Sequence, residues 1–312
     1  MLADEATVNP PTTTARGMCT IDMQSGRVLY EHNADDRMPM ASTTKIATAI
    51  TVLENCYDLD TPIEINPKAR GIEGTSIYIQ KGEKLTVREL LYGMMLRSGN
   101  DAAMAMALHV AKDNDAFCDL MNETARKAGA TNTQFKNPHG LDADGHYTTA
   151  GDLAKISAYA MKNPIFAEIV ATKDTTISGP DYKRPIRNKN RLLHSVPDCV
   201  GIKTGFTKKA GRCYVGAFEQ NGMTVISVVL NCGPMFEEAA NLMEHGLEEY
   251  TMTRVLCAHE PITVDGEMVG IAVEDFLYPL QSGETPDITT QDNEVIVKLG
   301  KETIYKSAFN AL

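Results

Sequence analysis

Apolar residues recur at helical spacing through the first half of the chain and at strand spacing through the second. Ile46, Ala49, Ile50 and Leu53 stand at i, i+3, i+4 and i+7, one buried face of a helix. Thr86-Val87-Arg88-Glu89 is a capping box, opening a helix through Leu90, Leu91, Met94 and Met95. From about Asp101 to Ala111 alanine and methionine are apolar on every side, which predicts a helix buried at the centre of a domain. Further helices are expected from about Asp115 to Ala128, stopped by Gly129, and from Thr149 to Met161, closed by Asn163-Pro164.

Strands dominate elsewhere. Gly17 to Asp22 and Arg27 to Tyr30 flank Gln24-Ser25-Gly26, a hairpin signal. Val200 to Thr204, Arg212 to Phe218 and Met223 to Leu230 read as antiparallel strands, with a helix from Glu237 to Tyr250 to pack on them. Beyond about Thr253, Pro261–Val264 and Met268–Ile271 flank Asp265-Gly266, and Glu294–Leu299 and Thr303–Tyr305 flank Gly300-Lys301. Such turns make hairpins. The expected organisation is a flexible Thr- and Pro-rich leader over residues 1–14, an α+β domain over 15–252 and a small β domain over 253–312.

Composition narrows the function classes. The 312 residues carry a net charge of −11 with no basic stripe, so nucleic acid is not an expected partner. No apolar run reaches transmembrane length, and the first residues lack the basic and apolar regions of a signal peptide. Seven cysteines, an odd number, exclude complete pairing within the chain and show no metal-binding spacing. The seven histidines contain no His-Glu-x-x-His pattern. Neither a metal nor a cofactor is expected.

The chemistry concentrates in three short motifs. In Ser42-Thr43-Thr44-Lys45 the serine and lysine lie one helical turn apart on one face, so the amine can reach the hydroxyl. Alone, this spacing also fits an ordinary helix start with a solvated lysine. Ser98-Gly99-Asn100 falls between two helical patterns, and Lys203-Thr204-Gly205 ends the apolar run Val200-Gly201-Ile202. Taken singly, these too fit a simple turn and a strand end.

The order Ser-x-x-Lys, Ser-x-Asn, Lys-Thr-Gly resembles that of serine penicillin-binding proteins and class A β-lactamases. Met38–Lys45, Gly82–Thr86, Leu96–Ala103, Asn137-Pro138-His139-Gly140-Leu141 and Gly201–Thr207 are similar to blocks of the D-alanyl-D-alanine carboxypeptidases. These are low-molecular-weight penicillin-binding proteins of serine peptidase family S11. The likeness runs from about Ala15 to Tyr250.

The resemblance implies a β-lactamase/penicillin-binding-protein-like transpeptidase fold, a helical cluster against an antiparallel sheet built from both chain ends. It implies removal of the terminal D-alanine from peptidoglycan stem peptides through an acyl-enzyme, and acylation by β-lactams. Ser42 is then the nucleophile, Lys45 the base, Ser98 a proton relay, and Asn100 a partner of Lys45 and the substrate amide. Lys203 and Thr204 would take the substrate carboxylate. Gly205 would let the strand approach closely, and the N–H groups of Ser42 and Phe206 would form the oxyanion hole. Phe206 stands where some relatives carry histidine. Asn188-Lys189-Asn190-Arg191 lies where relatives place a second carboxylate-binding cation, although neither Lys189 nor Arg191 is assigned to it. His139 and His146 read as loop-stabilising groups.

Such proteins work outside the cytoplasmic membrane. The β segment here is shorter than usual and ends without an anchoring helix, so membrane association is expected only through a segment absent from this chain. Three alternatives remain. A β-lactamase would need a deacylating Glu-x-x-Leu-Asn stretch, and none stands between Ser98 and Lys203. An endopeptidase would use the same motifs. A silent peptidoglycan-binding or penicillin-sensing protein would be expected to lack a motif residue.

Overall fold

A computed structural model describes residues 11–179 and 182–311. Residues 1–10 of the expected leader lie outside the described residues, while Thr13 and Thr14 bond to the Glu238 carboxylate. The chain forms two compact units. The larger is Pro11–Gln220 with Thr224–Glu244; the smaller takes in Asn221–Met223 and the chain from His245 onward.

In the larger unit β1 (Gly17–Asp22) and β2 (Val28–His32) make the first hairpin. A 3-10 turn, Ala41–Thr44, runs into α1 (Lys45–Asn55). Two-residue strands β3 (Ile63–Glu64) and β4 (Lys84–Leu85) pair before α2 (Val87–Arg97). There Thr86 and Glu89 form the reciprocal capping box. Then come α3 (Asn100–Val110), α4 (Asn114–Lys127), α5 (Ala150–Met161) and α6 (Pro164–Ala171). A hairpin of β5 (Asp174–Gly179) and β6 (Tyr182–Arg187) precedes the short α7 (Leu192–Ser195). Strands β7 (Cys199–Thr207), β8 (Gly211–Gln220) and β9 (Met223–Leu230) follow, then α8 (Met235–Glu249).

The sheet runs β2-β1-β9-β8-β7. Its first hairpin joins strands from the far end of the domain because β1 pairs with β9, Gly17 opposite Leu230 and Asp22 opposite Val225. Both faces of β9 are apolar and buried, so it sits at the centre. β7 is left as an edge strand, and half of an edge strand's backbone groups have no partner strand. That edge faces the Ala41–Thr44 turn.

Two expectations change. The helix predicted to begin at Ser42 begins at Lys45, and Ser42 occupies the tighter turn before it. Ala41 is forced to φ +50° there, which no regular helix accepts. Asn163-Pro164 closes α5 but also opens α6. The Asn163 side chain accepts from the N–H groups of Ile165 and Phe166, and proline at the first helical position gives up no hydrogen bond. The centre of the domain is as predicted: α3 buries Asn100 to Ala103 and Ala105 to Ala107 and packs on α1, α2 and α4.

The smaller unit is a β structure. β10 (Tyr250–Leu256) pairs with β13 (Phe276–Gln281). A five-stranded sheet runs β11 (Pro261–Val264), β12 (Glu267–Ala272), β16 (Glu302–Ala311), β15 (Glu294–Leu299), β14 (Asp287–Gln291). Leu256, Ile262, Ala272, Val295 and Val297 form its core, and Phe276 stacks on Tyr305 at 4.2 Å.

Candidate active site

Lys45 is the hub. Its side chain is fully buried, so its amine needs partners. Nζ donates to Asn100 Oδ1 at 2.7 Å and the His139 carbonyl at 2.5 Å, and lies 3.1 Å from Ser42 Oγ. Asn100 comes from the start of α3, His139 from the loop after α4. The approach to Ser42 follows from the turn of helix between Ser42 and Lys45. Burial pushes the Lys45 amine well below its ordinary pKa, and the cations of Lys203 and Lys189 push the same way; Asp101 opposes them. A lysine so placed is a competent base near neutrality.

Asn100 is fixed at both ends. Its Nδ2 donates to the Glu73 carbonyl at 2.6 Å and its backbone N–H to the Thr75 carbonyl at 2.7 Å. The amide oxygen is thereby turned towards Lys45. Ser98 ends α2 at φ +68° and is nearly buried. Such a left-handed non-glycine residue costs about 1–2 kcal/mol, and the turn it makes aims α3 at Lys45.

The loop carrying Glu73 and Thr75 is held by a residue that the sequence did not single out. Asp101 accepts from the N–H groups of Ile77 at 3.0 Å and Ile79 at 3.1 Å, and from Ser76 Oγ at 2.6 Å. Its position directly after the Ser-x-Asn motif was the only signal available.

His139 and His146, read from the sequence as loop-stabilising groups, belong to a layer under the serine turn whose partners the sequence did not show. Thr44 Oγ1 donates to the Ala41 carbonyl at 2.8 Å. His146 Nδ1 accepts from the Lys136 N–H at 3.0 Å, so its Nε2–H is the donor to Thr44 Oγ1, 2.9 Å away. Burial lowers the His146 pKa to about 4, keeping the ring in that neutral tautomer. Asn137 Oδ1 accepts from the Gly140 N–H at 2.7 Å, and Asn137 Nδ2 donates to the Leu141 carbonyl at 2.9 Å. That loop presents the His139 carbonyl to Lys45. The His139 ring is driven to a pKa of about 3 by burial first, then by Lys45 and His146. Both rings are thus neutral structural groups.

From the other side comes β7. A methyl group on Gly205 would stand 3.1 Å from the Ser42 and Thr43 nitrogens, so glycine lets the strand come this close without displacing the serine turn. Lys203 is buried, 1% exposed, and donates to the Thr204 carbonyl at 2.9 Å. Burial, with Lys189 as a second cause, lowers its pKa to about 7. Thr204, Gly205 and Phe206 line an open cleft of about 510 Å³ together with Ser42, Ser98, Thr75, Lys189, Arg191, Met235 and Phe236. Phe206 is 65% exposed. Arg191 holds its guanidinium 5.9 Å from the Phe236 ring centre.

The eight site residues read from the sequence therefore meet in one place. Ser42, Ser98, Thr204, Gly205 and Phe206 face the cleft; Lys45, Asn100 and Lys203 lie buried behind it. Among the described residues no three His, Cys, Asp or Glu side chains come together as a metal site. The cysteines are free thiols, and no described helix is long and apolar enough to cross a membrane.

The solved structure of penicillin-binding protein 5 from Haemophilus influenzae superposes with a TM-score of 0.83 at 26% identity, covering 98% of each chain. The Streptomyces K15 DD-transpeptidase superposes with a TM-score of 0.71 at 34% identity, over 76% of this chain and 98% of that one. In sequence, the D-alanyl-D-alanine carboxypeptidase DacC of Escherichia coli is 35% identical over 78% of this chain and 64% of its own length. DacF of Bacillus subtilis is 32% identical over 73% of this chain and 60% of its own. The matches to these two thus span somewhat under two thirds of the relatives' length. The profile of the D-alanyl-D-alanine carboxypeptidase family matches residues 4–233, and with the penicillin-binding-protein fold and the three motifs in one cleft, the chain belongs to that family, peptidase family S11.

Proposed function

We propose that this chain is a serine D-alanyl-D-alanine carboxypeptidase that trims the terminal D-alanine from peptidoglycan stem peptides. The observation that carries the reading is the buried Lys45 amine, 3.1 Å from Ser42 Oγ and held by Asn100. Ser42 Oγ attacks the carbonyl of the last peptide bond while neutral Lys45 takes its proton. The oxyanion is received by the N–H groups of Ser42 and Phe206, each worth about 3 kcal/mol at such a site. Ser98 passes a proton to the departing amine. D-Alanine leaves with its carboxylate held by Thr204 and by Lys203 in its charged form, and water then releases the acyl group from Ser42.

A β-lactam, whose ring amide resembles the scissile bond, acylates the same serine. The substrate is a component of the cell wall, so the reading puts the protein outside the cytoplasmic membrane. It assigns catalysis to residues 15–252 and leaves 253–312 as a separate β domain.

The test is release of D-alanine from a stem pentapeptide, followed by chromatography, alongside nitrocefin. Stoichiometric, slowly reversed acylation by nitrocefin with D-alanine release supports the carboxypeptidase. Rapid nitrocefin turnover without D-alanine release would replace it with a β-lactamase.

A further inference from the structure

Basic side chains crowd one flank of the cleft of an otherwise acidic protein. Arg97, Arg187, Lys189, Arg191 and His194 line a groove of about 360 Å³ together with Asn188, while the chain as a whole carries −11. Lys189 and Arg191 also line the catalytic cleft, so groove and cleft adjoin along these two side chains. The cations are close enough to repel: after burial, Arg97 is the cause of the lowered Lys189 pKa. Their compensation is slight. Asp174 lies 3.6 Å from Arg187 with both side chains more than half exposed, and such a pair is worth little. Among the described residues Lys189 Nζ reaches the Thr75 hydroxyl, at 3.5 Å. Like charges held together without a matching anion favour an anionic ligand, and arginine favours a carboxylate, which it can grip with two N–H groups.

The position of the groove says which part of a substrate would enter it. Arg97 directly precedes Ser98, and the Lys189 N–H bonds to the Leu96 carbonyl at 3.1 Å. The groove therefore opens from the Ser98 side of the cleft, where the amine departs in the reading proposed above, on which this inference rests. D-Alanine brings one carboxylate, already met by Thr204 and Lys203. The groove has room and charge for more.

We infer that this basic groove receives an acidic leaving group, so that the enzyme cleaves D-alanyl bonds whose leaving amino acid carries a second carboxylate faster than those of its neutral counterpart. The chemistry is unchanged. The D-alanyl carbon–nitrogen bond breaks as the Ser42 ester forms, the amine leaves with the serine's proton, and water hydrolyses the ester.

The test compares two peptides of one shape, diacetyl-L-lysyl-D-alanyl-D-glutamate and its D-glutamine analogue, by the kcat/KM for release of the last residue. Wild type should prefer the glutamate peptide about fivefold, the scale of one or two exposed ion pairs. The preference should fall towards one in Arg97→Gln/Arg187→Gln, both exposed sites, and in high salt. A wild-type ratio of one or below overturns the inference, as does a preference that the double variant keeps. The diacetyl-L-lysyl-D-alanyl-D-alanine peptide runs in parallel. If D-alanine is released from it while the ratio is one, the groove assignment alone fails. If none of the three peptides is cleaved, the carboxypeptidase reading fails and the inference with it.

Discussion

Gly140 is packed against Ala41 so closely that a methyl group on it would overlap the Ala41 carbonyl and stand 2.9 Å from Thr44 Oγ1. Gly140 also has φ +85°, the left-handed region that side chains avoid. The loop that gives Lys45 its hydrogen bond to the His139 carbonyl is thereby clamped onto the turn that carries Ser42. Gly140→Ala adds backbone strain of about 1–2 kcal/mol to overpacking of about 1–3 kcal/mol. The melting temperature should drop accordingly. β-Lactam acylation of the molecules that remain folded should slow at least tenfold, since either the serine turn or the His139 carbonyl must give way. Calorimetry and stopped-flow acylation measure the two. A variant that melts like wild type and acylates at its rate would mean that the clamp is loose.

Ser42→Ala removes one hydroxyl from a half-buried position in the 3-10 turn. The turn is held by Thr43 and Thr44, whose hydroxyls donate to the Met40 and Ala41 carbonyls, so the fold should stand. Intact-mass spectrometry after incubation with benzylpenicillin should show no adduct, against one per chain in wild type. An adduct that persists on the variant takes the nucleophile's role away from Ser42.

Asp101 acts on the site twice. It holds the loop that orients Asn100, and its charge raises the Lys45 pKa against the larger effects that lower it. Asp101→Asn removes the charge and weakens the hold on the Ile77 and Ile79 N–H groups. The other titratable groups bearing on Lys45 are Lys203, Lys189 and His139. All remain, so the Lys45 pKa should fall further. The acid limb of the kcat/KM profile should then move to lower pH, while kcat falls about tenfold, by analogy with groups that position a base. A loss of rate with an unmoved acid limb would reduce Asp101 to a purely structural residue.

What the sequence made legible was whatever depends on local pattern. The capping box at Thr86, the buried helix after Asp101 and the turns at Gly129 and Asp265-Gly266 are local, and each lies where the pattern puts it. The eight residues proposed for the site could be picked out because the motifs travel with them. The start of α1 could not, because it turns on Ala41 at φ +50°, a residue packed against Gly140 from a loop distant in sequence. The β5–β6 hairpin was missed because most of its residues are polar and it buries only alternate side chains such as Ile177 and Ile186. The Thr44–His146 layer joins residues 102 positions apart, and no local period reports such a contact. Lys203 read as a cation beside the substrate; its burial and lowered pKa depend on how β7 packs.

Lys203 should cost the protein stability, and the cost should depend on pH. Its pKa is near 7 in the fold, against 10.5 for a free lysine. Below pH 7 both folded and unfolded chains bind the proton, and folding carries the full penalty of burying the charge. Between about pH 7 and 10.5 the unfolded chain binds more protons than the folded one, so this contribution to stability improves as pH rises. The shift corresponds to a few kcal/mol, of order 1.4 kcal/mol per unit. Lys203→Met keeps the length of the side chain without its charge. It should unfold at higher denaturant than wild type at pH 6 to 7, with the gap narrowing towards pH 10. On the proposed mechanism the same variant should lose carboxypeptidase activity, because it removes the cation assigned to the substrate carboxylate and one of the charges that lower the Lys45 pKa. Urea titrations at three pH values decide the first part. A gap that is constant with pH would mean that Lys203 titrates in the fold as it does in the unfolded chain, and that burial leaves its amine in contact with water.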